Sequence, residues 1–417
     1  MAATAGFVLD ISGVLNVPEN PPLPDKPSIA VLPFDNMSGD PEQEYFSDGI
    51  TEDLITDLSR SPQLFVIARS STFTYKGKPV NVEQIGRELG VRYVVEGSVR
   101  RQADRIRVTA QLVDATTGFH LWSERYDREM KDVFALQSQL SEQIMAAIGV
   151  EIQDAELARI RHKPTESLDA HDAYLKGVYH FTRFTREEFK EARKLLQRAI
   201  EIDPKFALPY ATLGVSYYLE YLQCWNVDPR LLESAMQLGR QALGLDPRNP
   251  QALNLVGAVY ALQGRWPEAK LFAEKAVEAD PNWNVAQFVL GLHRVREGDL
   301  LGAIRSADRS LRLNPKAPSS ELAGIGIVNW LVGRTDKAAE LWERARAENA
   351  DLIMPRIGLI AVYGSQDRYD EARELVREIR RVNAELTTEH VIHLLPWRLI
   401  GGKKAELEKH LRTAGLP

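Results

Sequence analysis

The hydrophobic positions of the chain follow different periods in its two halves. From Pro27, short apolar runs such as IAVLPF and LFVIAR alternate with longer stretches of helical spacing, such as YFSDGITEDLITDLSR and NVEQIGRELG. The segment RYVVEGSVRRQADRIRVTAQLVDATTGFHLWSERYDR then indicates strands, with turns at Asp104 and at DATTG. The first half is therefore predicted to be an α/β domain, a small mixed sheet with helices packed against it.

A long amphipathic stretch follows this domain, from about Asp132 to Arg161. Its apolar positions keep helical spacing: Val133, Leu136, Leu140, Ile144, Ile148 and Ile152. We expect one connecting helix that leads into the second half.

The second half repeats itself. The segments AIEIDP, ALGLDP, AVEADP and SLRLNP end at Pro204, Pro247, Pro281 and Pro315, and a small residue recurs at Ala192, Ala235, Ala269, Ala303, Ala338 and Ala372. Each unit holds two amphipathic helical stretches, and the proline stops the second of them. Because one helix pair cannot bury its apolar face alone, six stacked pairs are predicted, an all-α solenoid.

This pattern resembles the tetratricopeptide repeat over about Thr165 to Glu385. The clearest unit matches the motif at Leu253, Gly257, Tyr260, Ala269, Ala276 and Pro281. Two features depart from it: the last two units have Ala350 and Ala384 in place of proline, and the second unit carries extra residues around LEYLQCWNVDPR. The insertion is either a ligand-contacting loop or a longer turn between helices.

The resemblance implies a concave groove, lined by the first helix of each unit, that holds peptides. The groove positions carried over are Leu208, Ala211, Val215 and Tyr218; Gln251, Asn254, Ala258 and Ala261; Val285, Phe288, Leu292 and Val295; Ser320, Ala323, Ile327 and Trp330. Such a groove is apolar and lacks the basic clamp for a C-terminal carboxylate, so an apolar peptide segment or a partner helix is the expected ligand. Alternatively, Phe288 and Trp330 simply pack between neighbouring helices.

The first half carries a second resemblance. The segments PSIAVLPFDNMSGDPEQEYFSDGITEDLITDLSR, GRELGVRYVVEGSVRR and RIRVTAQLVDATTGFHLWSERYDR are similar to the TolB-like domain that bacteria place ahead of tetratricopeptide arrays. In that family the domain commonly follows a class III adenylate/guanylate cyclase domain or a winged-helix DNA-binding domain. The resemblance implies a protein-interaction scaffold or, alternatively, the regulatory C-terminal half of such a cyclase or transcription regulator.

Domain boundaries follow from these patterns: a Pro-rich linker remnant at 1–26, the TolB-like domain at 27–131, the connecting helix at 132–164, six helix pairs at 165–385 and capping helices at 386–417. The first 26 residues are expected to be too few for a cyclase domain, since a domain needs on the order of 50 residues to bury a core. We therefore expect this chain not to be an enzyme.

Charge and cysteine content narrow the possible partners. Residues 1–163 carry 17 Lys+Arg against 24 Asp+Glu, and the remainder 35 against 34, so a broad nucleic-acid surface is not expected. The local cluster Arg100, Arg101, Arg105 and Arg107 is predicted to be a solvated strand edge. One cysteine, Cys224, allows no intramolecular disulfide, and with no signal peptide or membrane span recognised, a cytoplasmic location is expected.

The sequence contains no recognisable catalytic or cofactor-binding signature. The segment DNMSGDPEQEY after IAVLPF does not match a dinucleotide or Walker fingerprint, and no nucleophile turn is recognisable. His390 and His393 share a helical face but have no evident third ligand. We therefore expect no catalytic, cofactor or metal residues.

Overall fold

The computed structural model describes residues 21–79, 81–150, 163–394 and 401–417, and it has two parts. The first is an α/β domain (residues 21–150) with strands β1 (Ser28–Val31), β2 (Asp35–Asn36), β3 (Phe65–Val66), β4 (Tyr93–Gln102), β5 (Arg105–Asp114) and β6 (Phe119–Glu129). Its helices are α1 (Glu44–Ser59), α2 (Arg69–Thr72), α3 (Val82–Leu89) and α4 (Val133–Ala147). The second part is helical, so the predicted fold class is confirmed.

The sheet has the order β3-β1-β4-β5-β6, with β2 paired to β4. Strand β1 runs parallel to β3 and β4, whereas β4, β5 and β6 form an antiparallel meander. All of β1 is buried because its alternate residues enter two cores. Ile29 and Val31 pack with α1 and α4, and Ala30 packs on the side of α3.

Two local expectations for this domain are wrong. The four arginines are exposed or half-buried, but they lie on β4 and β5, which are interior strands, whereas the edges of the sheet are β3 and β6. Arg107 pairs there with Asp127 on β6 at 2.7 Å. The connecting helix is shorter than predicted, since α4 ends at Ala147 and Gly149 has a φ of 77°, a left-handed conformation that favours glycine and breaks the helix. The remainder of that stretch, residues 151–162, lies outside the described residues.

The second part is a solenoid of helix pairs, called units 1 to 6 in chain order. The pairs are α5 (Leu168–Phe181) with α6 (Arg186–Ile202), α7 (Ala207–Leu222) with α8 (Arg230–Leu245), α9 (Pro250–Leu262) with α10 (Trp266–Ala279), α11 (Asn284–Glu297) with α12 (Leu300–Leu313), α13 (Ser319–Leu331) with α14 (Thr335–Glu348), and α15 (Ile353–Ser365) with α16 (Tyr369–Val382). Gly257 shows why small residues recur, because a Cβ there would lie 3.1 Å from the carbonyl oxygen of Ala269 on the paired helix.

Two further helices, α17 (Thr388–Leu394) and α18 (Gly401–Thr413), pack against the last unit. Thr388 holds the chain end, since its Oγ1 donates to the carbonyl of Leu416 at 2.9 Å. The imidazole of His410 lies over Gly364 of α15 and meets the hydroxyl of Tyr369 at 3.1 Å. These contacts cover the apolar face that the last unit would otherwise leave open.

The α/β domain and the solenoid share their cores. Leu175 of α5 is buried in the cluster formed by α1, α4 and one face of the sheet. Leu313, the last residue of α12, is fully buried in the cluster on the other face. Both faces of the sheet are therefore completed by solenoid residues.

The solenoid also closes on itself through the insertion of unit 2, which forms the turn between α7 and α8. Trp225 Nε1 donates to the carbonyl of Asp351 at 2.9 Å, and Asn383 Nδ2 donates to the carbonyl of Cys224 at 2.7 Å. Arg186 at the start of α6 donates to the carbonyl of Val382 at 3.1 Å. The insertion thus ties units 1 and 2 to units 5 and 6, and its residues Leu222 and Gln223 also line the cavity described below.

Candidate functional site

The first helices of units 2 to 5 surround a cavity of about 530 Å³. The predicted groove positions that line it are Val215 and Tyr218 on α7, Gln251, Asn254, Ala258 and Ala261 on α9, Val285, Phe288 and Leu292 on α11, and Ser320, Ala323 and Ile327 on α13. They recur three, four or seven residues apart on each helix, so each helix presents one stripe to the same space.

Four predicted positions are not among the lining residues. Ala211 is fully buried against Ala242 and Ala252, and Leu208 lies half-buried in the first turn of α7. Val295 and Trp330 belong to the core around the last three units, where Trp330 is 1 % exposed and Lys403 of α18 lies 4.5 Å from its ring. Val295 and Trp330 therefore do not line the cavity, because their side chains are packed in this core.

The α/β domain supplies another wall of the cavity. Helix α1 contributes Glu52, Ile55, Thr56 and Ser59, which lie on one helical face, and the chain from Val66 to Ser70 adds the adjoining surface. The opposite face of α1 carries Leu54 and Leu58, which are buried in the domain core. The concave side of the solenoid is thus partly covered by the protein's own first domain.

The turn that ends unit 3 holds this domain in place. Asp280 accepts a hydrogen bond from Ser59 Oγ at 2.7 Å, and its other oxygen accepts the backbone amide of Asn282 at 3.0 Å. Asn282 Nδ2 donates to the carbonyls of Ser59 at 2.8 Å and of Ser61 at 3.2 Å. These bonds satisfy the carbonyls at the end of α1, which have no partner within the helix.

The turn that ends unit 4 makes a second set of bonds to the domain. Asn314 is fully buried, donates to Ser70 Oγ at 2.7 Å and accepts from Ser71 Oγ at 2.5 Å. Lys316 Nζ lies 2.8 Å from the hydroxyl of Tyr75 and 3.0 Å from the carboxylate of Glu88. Both turns therefore use polar side chains of the repeat to bind the α/β domain.

Arg312 strengthens the same contact. Its guanidinium donates to the carbonyls of Leu89 at 2.9 Å and Gly90 at 2.7 Å at the end of α3. Gly90 has a φ of 64°, and a Cβ there would lie 2.7 Å from the guanidinium, so the approach requires glycine. Burial lowers the pKa of Arg312 to about 10, which leaves it charged at neutral pH.

Burial also shifts the titratable groups of the cavity wall. It raises the pKa of Glu52, Asp280 and Glu321 above their ordinary values, although hydrogen bonds or Arg69 partly offset the rise. It lowers the pKa of His293 to about 4, so this imidazole is neutral at pH 7. Glu52 Oε2 pairs with Arg69 Nε at 3.2 Å, and Glu321 Oε2 accepts from Asn284 at 2.5 Å and from Asn314 at 2.6 Å.

The described residues contain no group of three or more histidine, cysteine, aspartate or glutamate side chains placed to hold a metal ion. His390 Nδ1 accepts the amide of Thr387 at 3.4 Å, and His393 lies 3.7 Å from Glu389. Burial raises the pKa of the Cys224 thiol, so it is not an activated nucleophile. In the parts of the chain that the structure covers, no helix has the length and apolar character needed to cross a membrane.

Sequence reasoning missed the residues that join the domain to the solenoid. It used the Asp-Pro endings only as helix stops, whereas Asp280, Asn282 and Asn314 also bind serines of the α/β domain. One signal was available: unit 4 ends in Asn-Pro where units 1 to 3 end in Asp-Pro. This difference distinguishes the turn of unit 4 from the turns of units 1 to 3, but it does not identify the residues that the turn binds.

Two family models match this chain, one in the α/β domain and one in the solenoid. A family model described as "HilA/YgeH-like transcriptional regulator, second domain" matches residues 25–143, and one described as "Tetratricopeptide repeat" matches residues 231–282. The first match covers the segment that resembles a TolB-like domain, and the TolB-like assignment itself stays a prediction.

Three relatives represent the range of similar proteins. "Putative adenylate cyclase 3" of Rhizobium meliloti (strain 1021) is 45% identical over 258 residues, 61% of this chain and 44% of that protein. "Transcriptional regulator HilA" of Salmonella typhimurium is 22% identical over 86% of this chain and 64% of that protein. "Type IV pilus assembly protein PilF" of Pseudomonas aeruginosa is 31% identical over 48% of this chain and 76% of that protein. The chain spans less than two thirds of the length of the first two.

Proposed function

The chain belongs to the tetratricopeptide repeat proteins, and from that premise we propose that it is a non-catalytic regulatory protein whose solenoid groove holds a short apolar segment of a partner protein. One observation carries the proposal: most of the predicted groove positions, on four different helices, line a single cavity. Apolar side chains such as Phe288 and Ile327 on its wall match the apolar segment predicted from the sequence.

The size of the cavity limits the segment. An α-helix with side chains is about 10–12 Å wide and rises about 5.4 Å per turn, so one turn fills roughly 500 Å³. The cavity of about 530 Å³ therefore suits one helical turn or a few extended residues.

Affinity capture from the native cell, followed by mass spectrometry, tests this function. Phe288→Asp places a charge in the cavity wall and is expected to lose the captured partner, while far-UV circular dichroism stays that of the wild type. Leu301→Asp is the matched control, because Leu301 is 59 % exposed on α12 and is not among the residues lining the cavity. Trp330→Asp is unsuitable, since Trp330 is buried in the core of the last units.

The proteins captured by the wild type and the two variants decide whether the groove binds a partner. A protein that wild type and Leu301→Asp both retain, and that Phe288→Asp loses, supports groove binding. Partners retained equally by all three proteins contradict it.

A second candidate function is regulation of cyclic-nucleotide synthesis or of transcription. The observation that favours it is the 45% identity over 258 residues with a protein named as a putative adenylate cyclase, together with the HilA/YgeH-like match at residues 25–143. Capture of a nucleotide cyclase or of a DNA-binding protein as the groove-dependent partner supports this role. Formation of cyclic AMP from ATP by the purified chain contradicts the non-catalytic assignment.

A further inference from the structure

The two edges of the sheet differ in what covers them. Next to the edge strand β3, the amide of Ala68 donates to the carbonyl of Leu313 in the solenoid at 2.9 Å. At the other edge, β6 is largely exposed, and Tyr126 is its one buried residue. Within the part of the chain that the structure describes, β5 is the strand that pairs with β6. The outer side of β6 is therefore an open edge, which is a template for pairing with a further strand.

The register of the sheet shows which backbone groups point to this open edge. Met130 N donates to the carbonyl of Asp104 at 2.7 Å, which continues the pairing of β5 with β6. Because hydrogen-bonded pairs alternate along an antiparallel ladder, the even-numbered residues of β6 that follow the irregularity at Leu112 bond to β5. The amides and carbonyls of the odd-numbered residues 123, 125, 127 and 129 therefore point outward, where an added strand would bind them.

The charges along β6 are self-complementary. In the segment ERYDR, Glu124 and Arg128 lie two residues on either side of Tyr126, and Arg125 and Asp127 lie one residue on either side of it. If two copies of the strand pair antiparallel about a two-fold axis at Tyr126, Glu124 of each copy faces Arg128 of the other. By the same symmetry Arg125 faces Asp127, so four pairs of opposite charge form at once.

Other symmetric registers within this segment place like charges opposite each other. The outward-pointing residues of the two copies must face one another, so the axis passes through a residue and not between two residues. A residue on the axis lies opposite its own copy. Tyr126 is the one uncharged residue in ERYDR, and an axis at any of the other four residues therefore pairs a charge with itself, which is unfavourable.

The outer pair of this segment is free to bind a second strand. Glu124 and Arg128 are exposed, and neither has an ion-pair partner among the described residues. The guanidinium of Arg128 lies at the open edge, since its Nη1 donates to the carbonyl of Asp127 at 3.1 Å. The inner pair is less free, because Asp127 already lies 2.7 Å from Arg107 and 3.6 Å from Arg125. Glu124 and Arg128 are therefore the pair to test.

We propose that a second copy of this chain pairs with β6, antiparallel and two-fold symmetric about Tyr126, so that two α/β domains form one continuous sheet. Residues 123–129 of both copies face each other over about 24 Å of strand. An interface made by one strand pair is small, so the dimer is weak, with a Kd of about 1–100 µM. This inference goes beyond the proposed function and does not rest on it, because no residue of β6 is among those lining the cavity.

Sedimentation equilibrium of the purified full chain tests the proposal, at concentrations up to about 200 µM. We expect the wild type to show a monomer–dimer equilibrium. Glu124→Arg converts both symmetry-related pairs with Arg128 into like charges, and it should weaken dimerisation at least about tenfold. Arg128→Glu should do the same. The double variant with both changes restores opposite charges in both pairs and should dimerise as the wild type does.

A matched control and a fold check accompany these variants. Glu278→Arg reverses a charge at a side chain that is 75% exposed on α10, and it should leave dimerisation unchanged. Far-UV circular dichroism and thermal unfolding establish that each variant is folded. The two single variants test the same pair independently, so either one suffices if the other does not fold.

Three results would overturn the proposal. They are a wild type that stays monomeric at about 200 µM, a dimer that Glu124→Arg does not weaken, and a double variant that does not recover dimerisation. A monomeric wild type that captures another protein, which Glu124→Arg loses, also overturns it and assigns this edge to a strand of a different partner.

Discussion

The turns of units 3 and 4 differ from those of units 5 and 6 in what they bind. Asp280 and Asn314 bind serines of the α/β domain. Asn349 and Asn383, at the matching positions of the last two units, donate instead to the carbonyls of Phe184 and Cys224 in the first two units. The first pair docks the domain on the solenoid, and the second pair closes the solenoid on itself.

The residue type at this position sets which distant groups the side chain can bind, but not whether it docks the domain or closes the solenoid, since Asn314 docks the domain as an asparagine. Oδ1 of Asp280, Asn349 and Asn383 accepts the backbone amide two residues later, which shapes the turn. The second atom of the side chain is then free for a distant partner. Aspartate can only accept, as from Ser59, whereas asparagine donates to a carbonyl. Asp246 of unit 2 makes the local bond, to the amide of Arg248.

Of the substitutions considered, Asn314→Asp should lower the stability of the protein most, because it disrupts the docking of the α/β domain on the solenoid. It replaces the donor to Ser70 and Glu321 by a carboxylate oxygen, and so places two buried like charges together. We expect the free energy of unfolding to fall by about 3 kcal/mol. Urea denaturation measures it, and Asn314→Asp with wild-type stability contradicts the docking role.

Asn383→Asp should weaken the closing side by less. The position is half-buried, and the change removes one 2.7 Å hydrogen bond to Cys224 and faces its carbonyl with a carboxylate. The expected loss is about 1.5 kcal/mol in the same denaturation experiment. Hydrogen exchange should rise in the turn at residues 223–229 but not in α1. Increased exchange of α1 instead shows that the two sides are not separate.

Stability should depend on pH at the docking side but not at the closing side, because asparagine does not titrate. Burial raises the pKa of Asp280 above its ordinary 3.8, so the folded state binds its proton more readily than the unfolded state does. Its contribution to the free energy of unfolding therefore falls as pH rises from about 4 through the raised pKa and stays constant above it. Asp280→Asn, which has no titrating carboxyl group, should flatten this dependence.

The pH profile of Asn383→Ala provides the comparison, because alanine removes the closing hydrogen bond without adding a titrating carboxylate. This variant should keep the wild-type slope that Asp280 contributes. If the free energy of unfolding of Asp280→Asn depends on pH as that of the wild type does, the pKa of Asp280 does not change on folding. The docking and closing turns then do not differ in pH dependence.

Asn349→Asp should have the smallest effect, about 0.5 kcal/mol, because its bond to the carbonyl of Phe184 is long, at 3.4 Å, and the residue is half-buried. The ratio of its stability loss to that of Asn383→Asp shows how much each of the two closing hydrogen bonds contributes. A larger loss for Asn349→Asp than for Asn383→Asp reverses the proposed order. Thermal unfolding of both variants in one buffer decides this point.

Local periodicity predicted the helix pairs, and the resemblance to the tetratricopeptide repeat gave twelve of the residues that line the cavity. The spacing of Val285, Phe288 and Leu292 fixes one face of a helix, and that face lines the cavity. The resemblance also gave Trp330, which does not line the cavity because it is buried in the core of the last units, beside Lys403 of α18. Periodicity reports which residues share a face but not what packs on that face.

Contacts between distant segments could not be predicted in this way. Asn314 binds Ser70 across 244 residues, and Asn383 binds Cys224 across 159. Each depends on the curvature that six stacked units accumulate, to which every interface between helices contributes. The sequence showed that the insertion around Cys224 was unusual but left open whether it was a loop or a turn.

The most direct test of the central claim compares the proteins captured from native cells by wild type, Ala258→Phe and Ala135→Phe. Ala258→Phe fills the cavity without removing a hydrogen bond, and Ala135→Phe adds the same ring at an exposed site. If the cavity is the functional site, a partner retained by wild type and Ala135→Phe is absent from Ala258→Phe at equal thermal stability. Recovery of every partner by Ala258→Phe contradicts the account.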